Sequence, residues 1–196
     1  MKPPFKRMIL VPPTTREDFI AYAADAGWKY RSEVQEQKDR LVPYELVYSD
    51  AAREKWLHYV DDFVAEMPYL VVAGRHFAET AEQVAEEFPV YADSDLLTWA
   101  EAASDPHEVA LSCRYVAVTA PTEFDPEFFA ALLRGLRHTE ATVRAACIHA
   151  CAYPGWPEFE PVLKEIEQED PDPRVRTIAR QLLHVFRDAR RTDTGT

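Results

Sequence analysis

Three stretches decide how the C-terminal half of the chain is read: Asp105-Pro-His-Glu-Val-Ala-Leu-Ser-Cys113, Thr139-Glu-Ala-Thr-Val-Arg-Ala-Ala-Cys147 and Pro171-Asp-Pro-Arg-Val-Arg-Thr-Ile-Ala179. In each, a valine (Val109, Val143, Val175) is followed four positions on by a small residue (Cys113, Cys147, Ala179). Positions four apart share one face of a helix, so each pair marks a buried spot where another helix comes close. The valines lie 34 and 32 residues apart. A period of that size signals a repeated unit, here a pair of helices.

Working outward, start signals precede each helix. Asp105-Pro106 and Asp125-Pro126 set aspartate at the N-cap and proline at the first helical position, with Glu108 and Glu127 in the first turn, where they favour the helix dipole. Asp93/Ser94, Thr139-Glu140, Trp156-Pro157-Glu158 and Asp172-Pro173 open four more helices, the last running to about Ala189. Phe129, Leu132, Leu133 and Leu136 form one apolar stripe; Phe159, Val162, Leu163 and Ile166 form another. Val175, Ile178, Leu182, Val185 and Phe186 form a third, each with the spacing of one buried helix face.

Val143-Arg144 and Val175-Arg176 also share a Val-Arg step, while Ala110 stands at that place in the first unit. These residues resemble HEAT repeats of the short bacterial kind, whose second helix typically opens Asp-x-x-x-Val-Arg-x-x-Ala. The resemblance covers residues 93–188, and Tyr153-Pro-Gly-Trp156-Pro-Glu158 is similar to a linker of such proteins. It implies stacked helix pairs with a curved surface, because one pair cannot bury its apolar face alone. HEAT-like repeats also occur in phycobilin lyases and DNA glycosylases, so the resemblance admits catalysis as well as binding.

The first 90 residues have a different texture. Phe5–Val11, Trp28–Tyr30, Tyr44–Tyr48 and Tyr69–Val72 are rich in aromatic and β-branched residues, as strands are. Thr14 to Ala26 reads as a helix with a Thr14/Glu17 capping box and Gly27 just past its end; Ala78–Phe88 reads as another. Trp56–Val60 fits strand or helix. The expected fold is mainly α: an α-solenoid of about three HEAT-like helix pairs preceded by a small α+β N-terminal part. Residues 1–90 form that part, 91–190 the repeats and 191–196 a disordered tail.

Of 196 residues, 22 are basic and 34 acidic, a net charge of -12. Residues 50–110 carry fourteen acidic groups against three basic ones. Such a segment is either a solvated surface or a field that draws in a basic partner. The acidity argues against a nucleic-acid binder, which needs clustered lysine and arginine. The apolar runs are far short of the roughly 20 residues that span a bilayer, and Met8–Val11 before Pro12-Pro13 is too short for a signal core. Three cysteines, an odd number, do not suggest a disulfide framework. A cytoplasmic protein with no membrane partner is expected. Five glycines supply no phosphate-cradling loop, and no Gly-x-Ser-x-Gly pattern occurs.

Several side chains are candidates for chemistry or recognition. Cys147 and Cys151, with His149 between them and Cys113 one unit earlier, are zinc-type ligands. The repeat, however, sets Cys113 and Cys147 at the small buried position of Ala179, where cysteine acts as a small hydrophobe. No metal or cofactor is expected. His58, Asp61 and Asp62, with Glu54 nearby, would share a face on a helix and could act as acid and base or hold a metal; on a strand they would not converge. Arg144 and Arg176 offer forks for an anion, or else form a ladder that bonds loop carbonyls and acids of neighbouring units. Trp99, Tyr153 and Trp156 are candidate aromatic anchors. The sequence leads to a non-catalytic protein–protein interaction module, an adaptor or an inhibitor of the immunity type. It would use its helical-repeat surface and an acidic patch to bind a basic protein. The binding set is Trp99, Tyr153, Trp156, Arg144, Arg176, Asp61 and Asp62. The alternative is an enzyme or small-ligand binder with a site near His58, Asp61 and Asp62.

Overall fold

A computed structural model describes residues 4–193. The chain divides between Ala92 and Asp93 into two compact units. Among the described residues the first unit holds five strands: β1 (Phe5–Ile9), β2 (Lys29–Val34), β3 (Tyr44–Ser49), β4 (Lys55–Asp62) and β5 (Met67–Gly74). Its two helices are α1 (Arg16–Asp25) and α2 (Phe77–Glu87). The strands form one antiparallel sheet in the order β1-β5-β4-β3-β2.

Alternation along the strands sends every second residue to one face. Met8, Leu46, Tyr48, Leu57, Tyr59, Leu70 and Val72 occupy that face and pack with Phe19 and Ala23 of α1 and with Ala81 and Val84 of α2. Phe19 is fully buried and meets Tyr48 edge-on at 5.4 Å. Burying such a side chain is worth about 1.5–3 kcal/mol. The α1 cap sits one residue later than the sequence suggests. Thr14 Oγ1 donates to the Val11 carbonyl at 2.8 Å, closing a turn, and the capping box falls to Thr15 and Asp18.

Among the described residues the second unit is six helices: α3 (Asp93–Ala102), α4 (Pro106–Thr119), α5 (Pro126–Leu136), α6 (Ala141–Ala150), α7 (Glu160–Glu169) and α8 (Pro173–Asp193). A single 3-10 turn, Pro157–Phe159, precedes α7. Asp105 and Asp125 cap α4 and α5 by accepting the amides of His107 and Glu108, and of Glu127 and Phe128. Glu140 stands at the N-cap of α6 without a side-chain cap bond. The helices α3 and α4, α5 and α6, and α7 and α8 pack as neighbours, and α6 also packs on α4 and α8. Val109, Val143 and Val175 are buried, as are Cys113, Cys147 and Ala179. Gly135 of α5 lets these helices approach: a Cβ there would come within 2.2 Å of Cys147 Sγ and 2.5 Å of Cys113 Sγ.

The mainly-α expectation is corrected. The five-stranded sheet and its helices take up nearly half the chain, so the fold is α+β, not a three-pair α-solenoid with a small appendage. The deciding element is β4. Trp56–Val60 lies at the centre of the sheet, paired on one side with β3 and on the other with β5. Its alternation buries Leu57 and Tyr59 on the helix-covered face. The expected tail is also shorter at its start, since α8 continues through Asp193; residues 194–196 lie outside the described residues. No helix among the described residues is long and apolar enough to cross a membrane.

Candidate functional site

His58, Asp61 and Asp62 all lie on β4 and do not converge. His58 and Asp62 fall on one face of the strand and Asp61 on the other. His58 Nδ1 lies 2.6 Å from Glu45 Oε1 on the neighbouring strand β3. Asp62 is buried: its Oδ1 accepts the Val64 and Ala65 amides at 2.8 and 3.1 Å, and the Tyr69 hydroxyl donates to Oδ2 at 3.3 Å. Asp62 therefore shapes the turn between β4 and β5. Burial, with the Asp62 charge beside it, pushes the Tyr69 hydroxyl well above the ordinary tyrosine range. Glu54 bonds Arg75 at 3.3 Å instead of joining this group. Among the described residues no set of three or more His, Cys, Asp or Glu side chains is arranged to hold a metal ion.

Arg144 is engaged by its own chain. Its Nε and Nη2 donate to the two oxygens of Asp170 at 2.6 and 2.7 Å, and Nη1 donates to the carbonyls of His138 and Thr139 at 2.9 and 2.8 Å. Arg176 Nη1 donates to the Asp170 carbonyl. Burial pushes the Asp170 carboxyl up, but the Arg144 fork, the Asp172 amide and the charge of Arg176 together outweigh it and hold the group below the usual carboxylate range. The bond to Asp170 correspondingly raises the Arg144 guanidinium. Both arginines thus tie off segments that follow helix ends, where carbonyls lack helical partners. Arg134, which the sequence reading passed over, does the same for α3: its Nη1 donates to the Ala100 and Glu101 carbonyls at 2.7 Å each.

The aromatic candidates separate into three situations. Trp99 packs edge-on against Tyr115 at 5.4 Å and is half-buried. Tyr153 is half-buried in the connection after α6. Trp156 is only 2% exposed and belongs to the core. It stacks on Phe159 with an interplanar angle of 9° and meets Phe124 at 5.4 Å. Phe129 completes the cluster, 4.9 Å from Phe159 and 5.5 Å from Phe124. The exposed member is Phe124, at 44%, in the loop before α5. Glu123 and Glu158, both exposed, adjoin Phe124 and Phe159 along the chain, and Glu127, also exposed, lies two positions before Phe129. A large aromatic outside any helical stripe and flanked by acids was the available signal for it.

The three cysteines are free and buried. Hydrogen bonding with Cys113, then burial, pushes the Cys147 thiol far up, and burial does the same to Cys151. His149 is exposed while its cysteine neighbours are not. Exposed acidic side chains occur in both units. Glu79, Glu82, Glu86 and Glu87 are exposed along α2. In the helical unit Asp95, Glu101, Asp105 and Glu108 are exposed along α3 and the start of α4. The chain matches no protein-family model, and neither a curated protein nor a solved structure shows significant similarity to it.

Proposed function

We propose that this protein is a non-catalytic protein-binding module, an adaptor or an inhibitor of the immunity type, and that its partner is basic. The carrying observation is Phe124, exposed on an aromatic cluster whose Trp156 and Phe159 are buried, with exposed Glu123 next to it and exposed Glu127 three positions on. An aromatic held by rigid neighbours loses little freedom when a partner covers it, which is the usual character of an interface anchor. Carboxylates around it favour lysine and arginine and speed their approach. A cation set over the Phe124 face would gain further through its ring. The buried Val109, Val143 and Val175 steps, which resemble HEAT-like units, support assigning the surface to a protein-binding helical scaffold.

The alternative reading, a catalytic or small-ligand site at His58, Asp61 and Asp62, gains nothing from the geometry: Asp61 lies on the opposite face of β4, and His58 and Asp62, on one face, are engaged separately by Glu45 and by the β4–β5 turn. The test is affinity capture from native lysate at low and high salt, with wild type beside Phe124→Ala and the double variant Glu123→Lys/Glu127→Lys. The proposal expects one basic partner, released by salt and lost from both variants. A partner retained equally by all three proteins, or no partner at either salt, would overturn it.

A further inference from the structure

We propose that the groove between the end of α3, the start of α4 and the C-terminal half of α5 binds a carboxylate attached to a compact apolar body. The groove encloses about 610 Å³, a volume suited to a small molecule or one protruding side chain. Its lining combines apolar residues, among them Val109, Ala130 and Leu133, with cationic and polar ones, Arg134, Arg137, His138, Ser104 and Thr139. No carboxylate lines it, although the helical unit carries eighteen acidic groups against eleven basic ones.

Each polar group has donor capacity to spare. Arg134 spends only Nη1 on the Ala100 and Glu101 carbonyls. Those bonds fix the guanidinium plane, leave Nε and Nη2 open, and do not neutralise its charge. Arg137 is exposed, and its side chain has no ion pair or hydrogen bond among the described residues. The Glu140 amide donates to His138 Nδ1 at 3.1 Å, so in the neutral ring the proton sits on Nε2 as a further donor. Asp105, the carboxylate at the start of α4, is already committed to the His107 and Glu108 amides. Two guanidinium groups match a carboxylate, and a fork of this kind binds it in two-point geometry. The apolar lining of the groove calls for a body behind the carboxylate, which inorganic phosphate lacks. This inference is independent of the Phe124 surface.

The test is titration of the uniformly ¹⁵N-labelled full chain with 3-phenylpropionate, 3-phenylpropanol and inorganic phosphate, followed by amide chemical shifts. Phenylpropionate is expected to move Ser104, Val109, Leu133 and residues 137–139, saturating in the millimolar range. The alcohol should bind about fivefold more weakly, the upper range for one exposed ion pair. Arg137→Gln should weaken phenylpropionate by a similar factor and leave the alcohol unchanged; Arg137 is chosen because Arg134 also caps α3. Equal binding of acid and alcohol would remove the cations from the site and overturn the proposal. Phosphate binding as tightly as phenylpropionate would reduce it to a general anion patch and overturn it too. So would the absence of shifts in these residues at tens of millimolar ligand.

Discussion

Replacing Asp170 by asparagine removes one charge from a pair whose side chains are 9% and 4% exposed, Arg144 and Asp170 respectively. The amide can accept from only one of the two Arg144 donors, and its own N–H₂ faces the other. The Asp172 amide, now 2.9 Å from an Asp170 oxygen, loses a charged acceptor as well. Breaking a buried pair from one side costs about 3–5 kcal/mol, and the retained carbonyl sets the expectation for Asp170→Asn near 3 kcal/mol. That is a large share of the ~5–15 kcal/mol that stabilises a typical domain. The Arg144→Met/Asp170→Leu double variant should cost less than the sum of Arg144→Met and Asp170→Leu made singly, because no unpaired charge stays buried, although the His138 and Thr139 carbonyls and the Asp172 amide still lose their partner. The pH dependence has a definite sign. The Asp170 carboxyl is held below its unfolded value in the folded state, so its contribution is complete above about pH 4 and fades as pH falls through the lower folded value. The gap between wild type and Asp170→Asn should therefore narrow in acid. Urea unfolding followed by far-UV circular dichroism measures all three quantities. A loss below about 0.5 kcal/mol for Asp170→Asn would place it with ordinary surface substitutions and refute the reasoning, as would a double variant as costly as the sum of the singles.

Other perturbations test separate parts of the fold. Gly135→Ala drives a methyl into Cys147 Sγ and Cys113 Sγ and should cost about 1–3 kcal/mol, with part regained when Cys147→Ala is added; unchanged urea stability would show the α5–α6 contact to be looser than described. Thr80→Val replaces a hydroxyl that is buried without a partner among the described residues, and should raise the melting temperature by the equivalent of about 1 kcal/mol. A lower melting temperature would mean that the hydroxyl is bonded. Burial, with Asp61 nearby, pushes the Tyr59 hydroxyl up to about 12. Its folded value is raised, so stability is complete below about pH 10 and is lost as pH rises toward the folded value; Tyr59→Phe should flatten this alkaline limb, and an unaltered limb would assign it to other groups.

The helical unit was legible because its punctuation is local. Asp105-Pro106 and Asp125-Pro126 carry their own caps, and the stripes that include Leu132, Leu163 and Val175 need no distant partner to be read, although Val185, expected on the buried face of the last stripe, is exposed. What stayed hidden depends on residues far apart in the chain. His58 finds Glu45 thirteen positions away, and Arg144 finds Asp170 twenty-six positions away. Neither pairing has a periodic signature. The stretch Trp56–Val60 was ambiguous because short aromatic runs suit either period; pairing with β3 and β5 settled it, and the weight of the fold moved with it from α to α+β. Trp156 shows the limit for candidate anchors. A tryptophan before a proline in a loop resembles an exposed anchor, yet here it lies beneath Phe124, and only the three-dimensional stack reveals which aromatic meets solvent.

The binding proposal is tested most directly by a photo-crosslinking phenylalanine analogue placed at position 124, with the same analogue at Val185, itself 58% exposed, as the control. Irradiation in native lysate at low salt should join the position-124 probe to one basic protein. That adduct should disappear at high salt and be missing from the Val185 probe. The same set of adducts from both positions, or a position-124 adduct indifferent to salt, would contradict the assignment of Phe124 and its acidic neighbours as the docking surface for a basic partner.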